Sequence, residues 1–304
     1  MKRMFALLMG LLVLGGMMGM VSAFTPTIDG NDSDWGSLDL LLLDPNSWNT
    51  PSSLQEKGLD SQHLQYIWMD TSGDAIDSVD AADVKYIRVT ANSSYVYFYI
   101  KFTGQLTLGG KNPNAQNIPA VAIIIDSTDG GNKTFGGQVL WGADVKVSDS
   151  DPYAWDYLIR VDLNQFSTGG TYDNPAGVDV LDIYGDNVLY DDSNNLVYGD
   201  YSIGIYTGDT TTGGGIELKI PKGALGLSDQ QFGFYMDFLT VLQTANSGSV
   251  QVEDAMDPLS SGSNTLSNFQ YADITQVPFF SDSIAMGAVA ILLALGAFWF
   301  FRRQ

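Results

Sequence analysis

Residues 95–104, YVYFYIKFTG, alternate strictly: Tyr95, Tyr97, Tyr99 and Lys101 on one side, Val96, Phe98, Ile100 and Phe102 on the other. A period of two is that of a strand with one buried face. The preceding VKYIRVTANSS supplies a partner and a turn, so 84–103 reads as a hairpin. PAVAIIID (119–126) is apolar on both faces and β-branched, as in a central strand. WDYLIRVDL (155–163) alternates again, placing Trp155, Tyr157, Ile159, Val161 and Leu163 on one side. Further strands are expected at 177–185, 201–208, 215–220, 232–244 and 270–274, with a hairpin over 187–199. Helix is confined to a turn at 222–227 and a short piece near 54–58. Short strands parted by Gly, Asn, Asp and Ser clusters predict an all-β chain, an antiparallel β-sandwich of jelly-roll or immunoglobulin-like type. Residues 44–77 carry little pattern and read as loops.

The two ends break this pattern. Lys2 and Arg3, an apolar run and the small residues Val21-Ser22-Ala23 read as a signal peptide over 1–23. Ile284–Phe301 has no charge and, at about 1.5 Å per residue, is about 27 Å long, near the thickness of a hydrocarbon core. Arg302 and Arg303 follow it and belong on the cytoplasmic side (302–304). The expectation is an extracellular domain over 24–275, a juxtamembrane linker at 276–283, a transmembrane helix at 284–301, and a single-pass place in the cell membrane. Val277-Pro278-Phe279-Phe280 with this span resembles the sorting tails of archaeal and bacterial surface proteins, and whether that tail is cut stays open.

Composition narrows the chemistry. With 45% apolar and 12% aromatic residues the chain can bury a core, and with no cysteine it has neither disulfides nor thiolate metal sites. The net charge is −21, and of 35 acids only Glu56, Glu217 and Glu253 are glutamate. Aspartate favours turns, so the acidity lies on loops. Such a field excludes nucleic acid and anionic lipid as partners and leaves divalent cations and neutral ligands open. Adaptation to a saline habitat accounts equally well for the total charge.

Among motifs, IDGNDSDW (28–35) sets oxygen side chains at alternate positions, as a calcium turn does, but lacks the glycine and glutamate of an EF-hand loop. It resembles the IDG-x-x-x-DW opening of family 9 carbohydrate-binding modules and of the C-terminal binding module of glucodextranase, domains with a DOMON-like sandwich. ANSSYVYFYIKFTG, AIIIDSTDGGNKTFGG, LWGADVKV and GGGIELKIPKGALGL resemble later elements of that family, in the same order. The resemblance implies bound Ca2+, with Asp126, Asp129 and Asp144 as metal ligands and Asp29 and Asp34 in the opening turn. It also implies sugar held on aromatic rings, with Trp141 the first candidate and Trp155, Trp68 and Trp48 behind it. A DOMON-like sandwich can instead carry haem, for which His63 would pair with Met69, Met236 or Met256. No catalytic pair stands out among the acids, and one histidine without cysteine leaves Ser/His/Asp, Cys/His and His-based zinc machinery without parts. Asn92, Asn132 and Asn31 head glycosylation triplets.

Three readings stay open. The first is a surface-anchored, noncatalytic carbohydrate-binding module, calcium-stabilised, holding polysaccharide or a partner glycoside hydrolase near the membrane. The second is a structural component of the cell envelope or of a surface filament, built on calcium and protein contacts. The third is an extracellular haem-binding electron carrier.

Overall fold

A computed structural model of the chain describes residues 25–35, 40–41, 57–60, 65–69, 75, 80–112, 116–135, 139–143, 145–191, 193–228, 233–244, 250–255, 265–266 and 269–273. All of them lie in one compact unit, Phe24–Ile274. The expected leader, linker, membrane span and basic stop fall outside the described residues. No helix among the described residues is long and apolar enough to cross a membrane.

The strands are β1 (Leu40–Leu41), β2 (Lys57–Asp60), β3 (Gln65–Met69), β4 (Val84–Ala91), β5 (Tyr95–Phe102), β6 (Gln116–Asp126), β7 (Lys146–Val147) and β8 (Tyr157–Asp162). They continue with β9 (Gly170–Asp173), β10 (Val178–Asp182), β11 (Ser202–Tyr206), β12 (Gly215–Pro221), β13 (Gly233–Thr244), β14 (Val250–Ala255), β15 (Thr265–Leu266) and β16 (Gln270–Asp273). Two short 3-10 turns, Leu163–Gln165 and Lys222–Leu225, are the helical pieces among the described residues.

The first sheet runs β1-β2-β3-β4-β5-β12-β11-β9, and the second runs β10-β8-β6-β13-β14 with β16 also on β13. Every pairing within these two sheets is antiparallel. β15 and β7 form a small parallel pair. One core joins the two sheets: Ile87, Phe98, Ile100, Ile216 and Ile203 from the first meet Ile123, Ile125, Ile159, Val161 and Phe238 from the second. Each such side chain, fully buried, contributes about 1.5–3 kcal/mol, which is what drives the layers together. The described residues therefore form an all-β, antiparallel sandwich.

The alternation in β5 holds. Val96, Phe98, Ile100 and Phe102 enter the core, while Tyr97 and Tyr99 point the other way. Yet these tyrosines are buried too, because the turn at 27–35 lies over them with Trp35.

The second sheet has its own cover. A separate apolar cluster joins Ala120, Ala122, Ile124, Leu158 and Leu239 on its outer face to Leu140, Val145, Val147, Trp155, Leu266 and Phe269. The loop between β6 and β8 thus makes a third layer.

Four expectations need correction. β8 begins at Tyr157, and Trp155 joins the outer cluster instead of sharing the core face of Tyr157 and Ile159. The parity breaks at Asp156, whose buried carboxylate turns aside to accept Ser127 N at 2.9 Å and Thr128 N at 2.7 Å. Residues 65–69 are strand, not loop, because QYIWM is buried on both faces and shows no alternation. Residues 57–60 are strand where a short helical piece was expected near 54–58. The hairpin over 187–199 is a run of turns with an isolated bridge between Tyr190 and Leu196.

Candidate functional site

Two polar constructions stand out, one beneath the opening turn and one on the loop layer. In the first, Glu217 at the centre of β12 is fully buried. Its Oε1 accepts the indole Nε1–H of Trp35 at 2.7 Å, and its Oε2 accepts Asp29 N at 3.0 Å and Gly30 N at 3.2 Å. Burial pushes its carboxyl up to about 8, against the pull of those three donors. Gly204, opposite Glu217 on β11, gives the turn room: a Cβ there would lie 2.4 Å from Gly30 N. Asp29 accepts Asn31 N at 2.7 Å, Asp34 accepts Thr27 N at 2.5 Å, and Asp32 accepts the Tyr86 hydroxyl. The acids of IDGNDSDW therefore close their own turn and fasten it to the sheet.

The second construction centres on Trp141. It is half-buried at the end of the turn 139–142 and has φ of 53°, a left-handed conformation costly for a bulky side chain. The Arg160 guanidinium lies 5.4 Å from its ring centroid. Arg160 is itself fixed, donating to Asp179 Oδ2 at 2.6 Å and to Val139 O at 3.0 Å. Asn187 Nδ2 donates to the other oxygen of Asp179 at 2.9 Å. The neighbouring turn displays Tyr184, 82% exposed, and its Gly185 lies against Val139. Trp141, which also packs against the outer cluster, and the exposed Tyr184 thus lie on adjoining turns beside an Arg–Asp–Asn network.

The other expected ring positions differ. Trp155 is fully buried, its Nε1 donating to Thr134 O at 3.1 Å and its ring stacked on Phe135 at 5.0 Å. Trp68, on β3, is fully buried in the main core. Neither has a face to offer a sugar, so both are packing residues. Trp48 lies outside the described residues.

Asp126, at the end of β6, accepts Ala154 N at 3.3 Å. Burial, then the nearby carboxylates of Asp156, Asp129 and Asp151, push it up to about 6. Asp126 and Asp129 are thus brought together, whereas Asp144 lies outside the described residues and Asp29 and Asp34 belong to the distant turn. Among the described residues no group of three or more His, Cys, Asp or Glu side chains is placed to hold a metal ion.

For haem, Met236 is buried in the main core while Met69 packs under the opening turn; His63 and Met256 lie outside the described residues. Of the glycosylation triplets, Asn92 caps its hairpin turn, accepting Ser94 N at 2.9 Å and donating to the Tyr97 hydroxyl at 2.8 Å. Asn132 pairs with the backbone of Trp155, and Asn31 accepts Ser33 N at 3.1 Å.

Arg160, Asp179 and Asn187 were missed from sequence. The signal was there: the alternation that buries Ile159 and Val161 turns Arg160 outward, and Asp179 sits opposite it on β10.

No family model and no curated protein matches the chain. It is similar to the solved structure of a family 9 carbohydrate-binding module from Caldicellulosiruptor kristjanssonii in complex with cellotriose, at 14% identity and a TM-score of 0.33, covering 77% of this chain and 80% of that one. It is also similar to one in complex with glucose, at 14% identity and 0.32, covering 78% and 83%. At this distance the residues of the site, not the likeness, have to support a function.

Proposed function

We propose that this chain is a noncatalytic carbohydrate-binding module displayed outside the cell, with Trp141 as the sugar platform. The observation that carries the reading is Trp141 held in a left-handed turn and braced by Arg160, which Asp179 and Val139 fix in place. Strain kept on a large, partly exposed ring is worth keeping when the ring has a task. Sugars pair apolar C–H faces with aromatic planes and hydroxyls with charged and amide groups; Arg160, Asp179 and Asn187 supply the latter.

Binding without hydrolysis suits the carboxylates. A glycosidase needs two facing one bond, one of them with a raised pKa. Glu217 and Asp126, two described carboxyls that burial pushes up, belong to different sheets. The leader and terminal span read from sequence make the module exported and anchored, keeping polysaccharide or a partner hydrolase near the membrane. Calcium belongs to the proposal only at Asp126, where a cation would offset repulsion among neighbouring carboxylates.

The test is retention of the full chain on a panel of soluble and insoluble glucans. Binding lost in Trp141→Ala at an unchanged melting temperature supports the reading. Wild type retained by none of the panel removes it.

A further inference from the structure

Lys133 follows the aspartate- and glycine-rich loop after β6, and its side chain is half-buried under the segment 148–153. Its Nζ donates to Ser148 O at 3.2 Å, to Asp151 O at 2.5 Å and to Tyr153 O. An ammonium has three N–H donors and no acceptor, so these three carbonyls use all of them. The ligands are neutral backbone oxygens from three residues within six positions of chain, converging on one point.

The surroundings hold that point still. Asn132 and Trp155 exchange two backbone hydrogen bonds of 2.9 Å, and Val147 N donates to Lys133 O at 2.8 Å. Ser148 N donates to Leu266 O at 2.6 Å. Within the segment, Asp151 N donates back to Ser148 O at 3.1 Å and Tyr153 N donates to Asp151 Oδ1 at 2.9 Å. Carbonyl dipoles aimed at a common centre repel one another unless a positive charge sits there. Without one, the Asp151 and Tyr153 carbonyls lose the donor that draws them together, while Ser148 O keeps Asp151 N.

We propose that the segment 148–153 is a cation site whose resident cation is the Lys133 ammonium, and that removing the lysine leaves a site for a small external ammonium ion. Three carbonyls are too few for calcium, which takes about 6–8 oxygens, and their spacing suits a donor of N–H bonds. The site also positions Tyr153, whose ring stacks on Tyr235 at 3.8 Å, and with it the corner around Asp126. This inference stands whether or not the chain binds sugar.

The experiment is thermal melting of the full chain and of Lys133→Ala in ammonium, methylammonium, sodium and tetramethylammonium chlorides at matched ionic strength. The variant is expected to melt about 5 °C or more below wild type, and ammonium or methylammonium to recover much of that loss. Tetramethylammonium, with the same charge and no N–H, recovers none. Wild type ranks the four salts equally. A variant as stable as wild type, or one that responds alike to all four salts, overturns the proposal. Should the variant fail to fold, wild type decides by NMR with 15N-labelled lysine. A slowly exchanging Lys133 ammonium coupled to the carbonyl carbons of Ser148, Asp151 and Tyr153 supports the site, and a fast-exchanging one rejects it.

Discussion

The indole of Trp35 and the carboxyl of Glu217, 182 residues apart, meet at 2.7 Å beneath the opening turn. Removing the acid takes this acceptor from the indole donor and from the Gly30 N–H in a buried site, while Asp29 N keeps Thr27 O at 3.0 Å. Glu217→Ala should therefore cost about 3 kcal/mol or more. Glu217→Gln keeps one acceptor oxygen and should cost less. Chemical denaturation of the two variants gives the order, and Ala no worse than Gln would contradict the arrangement.

The same residue sets a pH dependence. Its folded value, about 8, lies above the usual carboxyl value of 4.5, so the fold favours the protonated acid. The stabilisation is fully present below about pH 4.5 and is lost as pH rises through about 8. Melting temperature should fall between pH 6 and pH 9 in wild type, and the fall should flatten in Glu217→Gln. Parallel slopes in the two proteins would assign the effect to other groups.

Gly204→Ala tests the docking by shape alone. The new methyl would fall 2.4 Å from Gly30 N and 2.7 Å from Asp29 N, backbone that cannot step aside without lifting the turn. Overpacking of this kind costs about 1–3 kcal/mol. Trp35 fluorescence should shift toward that of an exposed indole; an unshifted spectrum at full stability would place the turn elsewhere.

At the proposed sugar platform, Trp141→Ala, Arg160→Ala and Asp179→Ala should each weaken glycan affinity by about tenfold or more. Tyr206→Ala, an exposed tyrosine on the first sheet, should leave it unchanged. Affinity electrophoresis in soluble glucans gives the comparison. Equal effects from Tyr206 and Trp141 would point to nonspecific stickiness.

Asp126 carries the calcium question. Its value of about 6 lies above the usual 3.8, so its share of stability is complete below about pH 4 and is lost as pH rises through 6. In chelator, Asp126→Asn should melt higher than wild type at neutral pH. A cation bound beside Asp126 reverses that order when calcium is added, because a ligand of the folded state stabilises it. A wild-type midpoint indifferent to calcium and chelator leaves the acids as loop formers.

The strands that alternate in polarity and the β-branched β6 were legible in the sequence, whereas β3 and β9 were not. β5 and β12 follow the period of two in polarity, whereas β3, QYIWM, does not alternate and β9, GTYD, is a polar edge. The burial of Tyr97 and Tyr99 could not be read locally, since their cover comes from residues 27–35. Trp141 was visible as a tryptophan beside a turn. Its bracing by Arg160 depends on the pairing of β8 with β10, a long-range fact that local pattern only hints at.

The opening turn is gripped by side chains or backbone from five strands: Gln65 on β3, Tyr86 on β4, Thr171 on β9, Gly204 on β11 and Glu217 on β12. None of them exists when residues 27–35 leave the ribosome. The earliest part of the domain to be synthesised is thus among the last to dock, and tyrosines that end up covered stay open to water until β12 has been made.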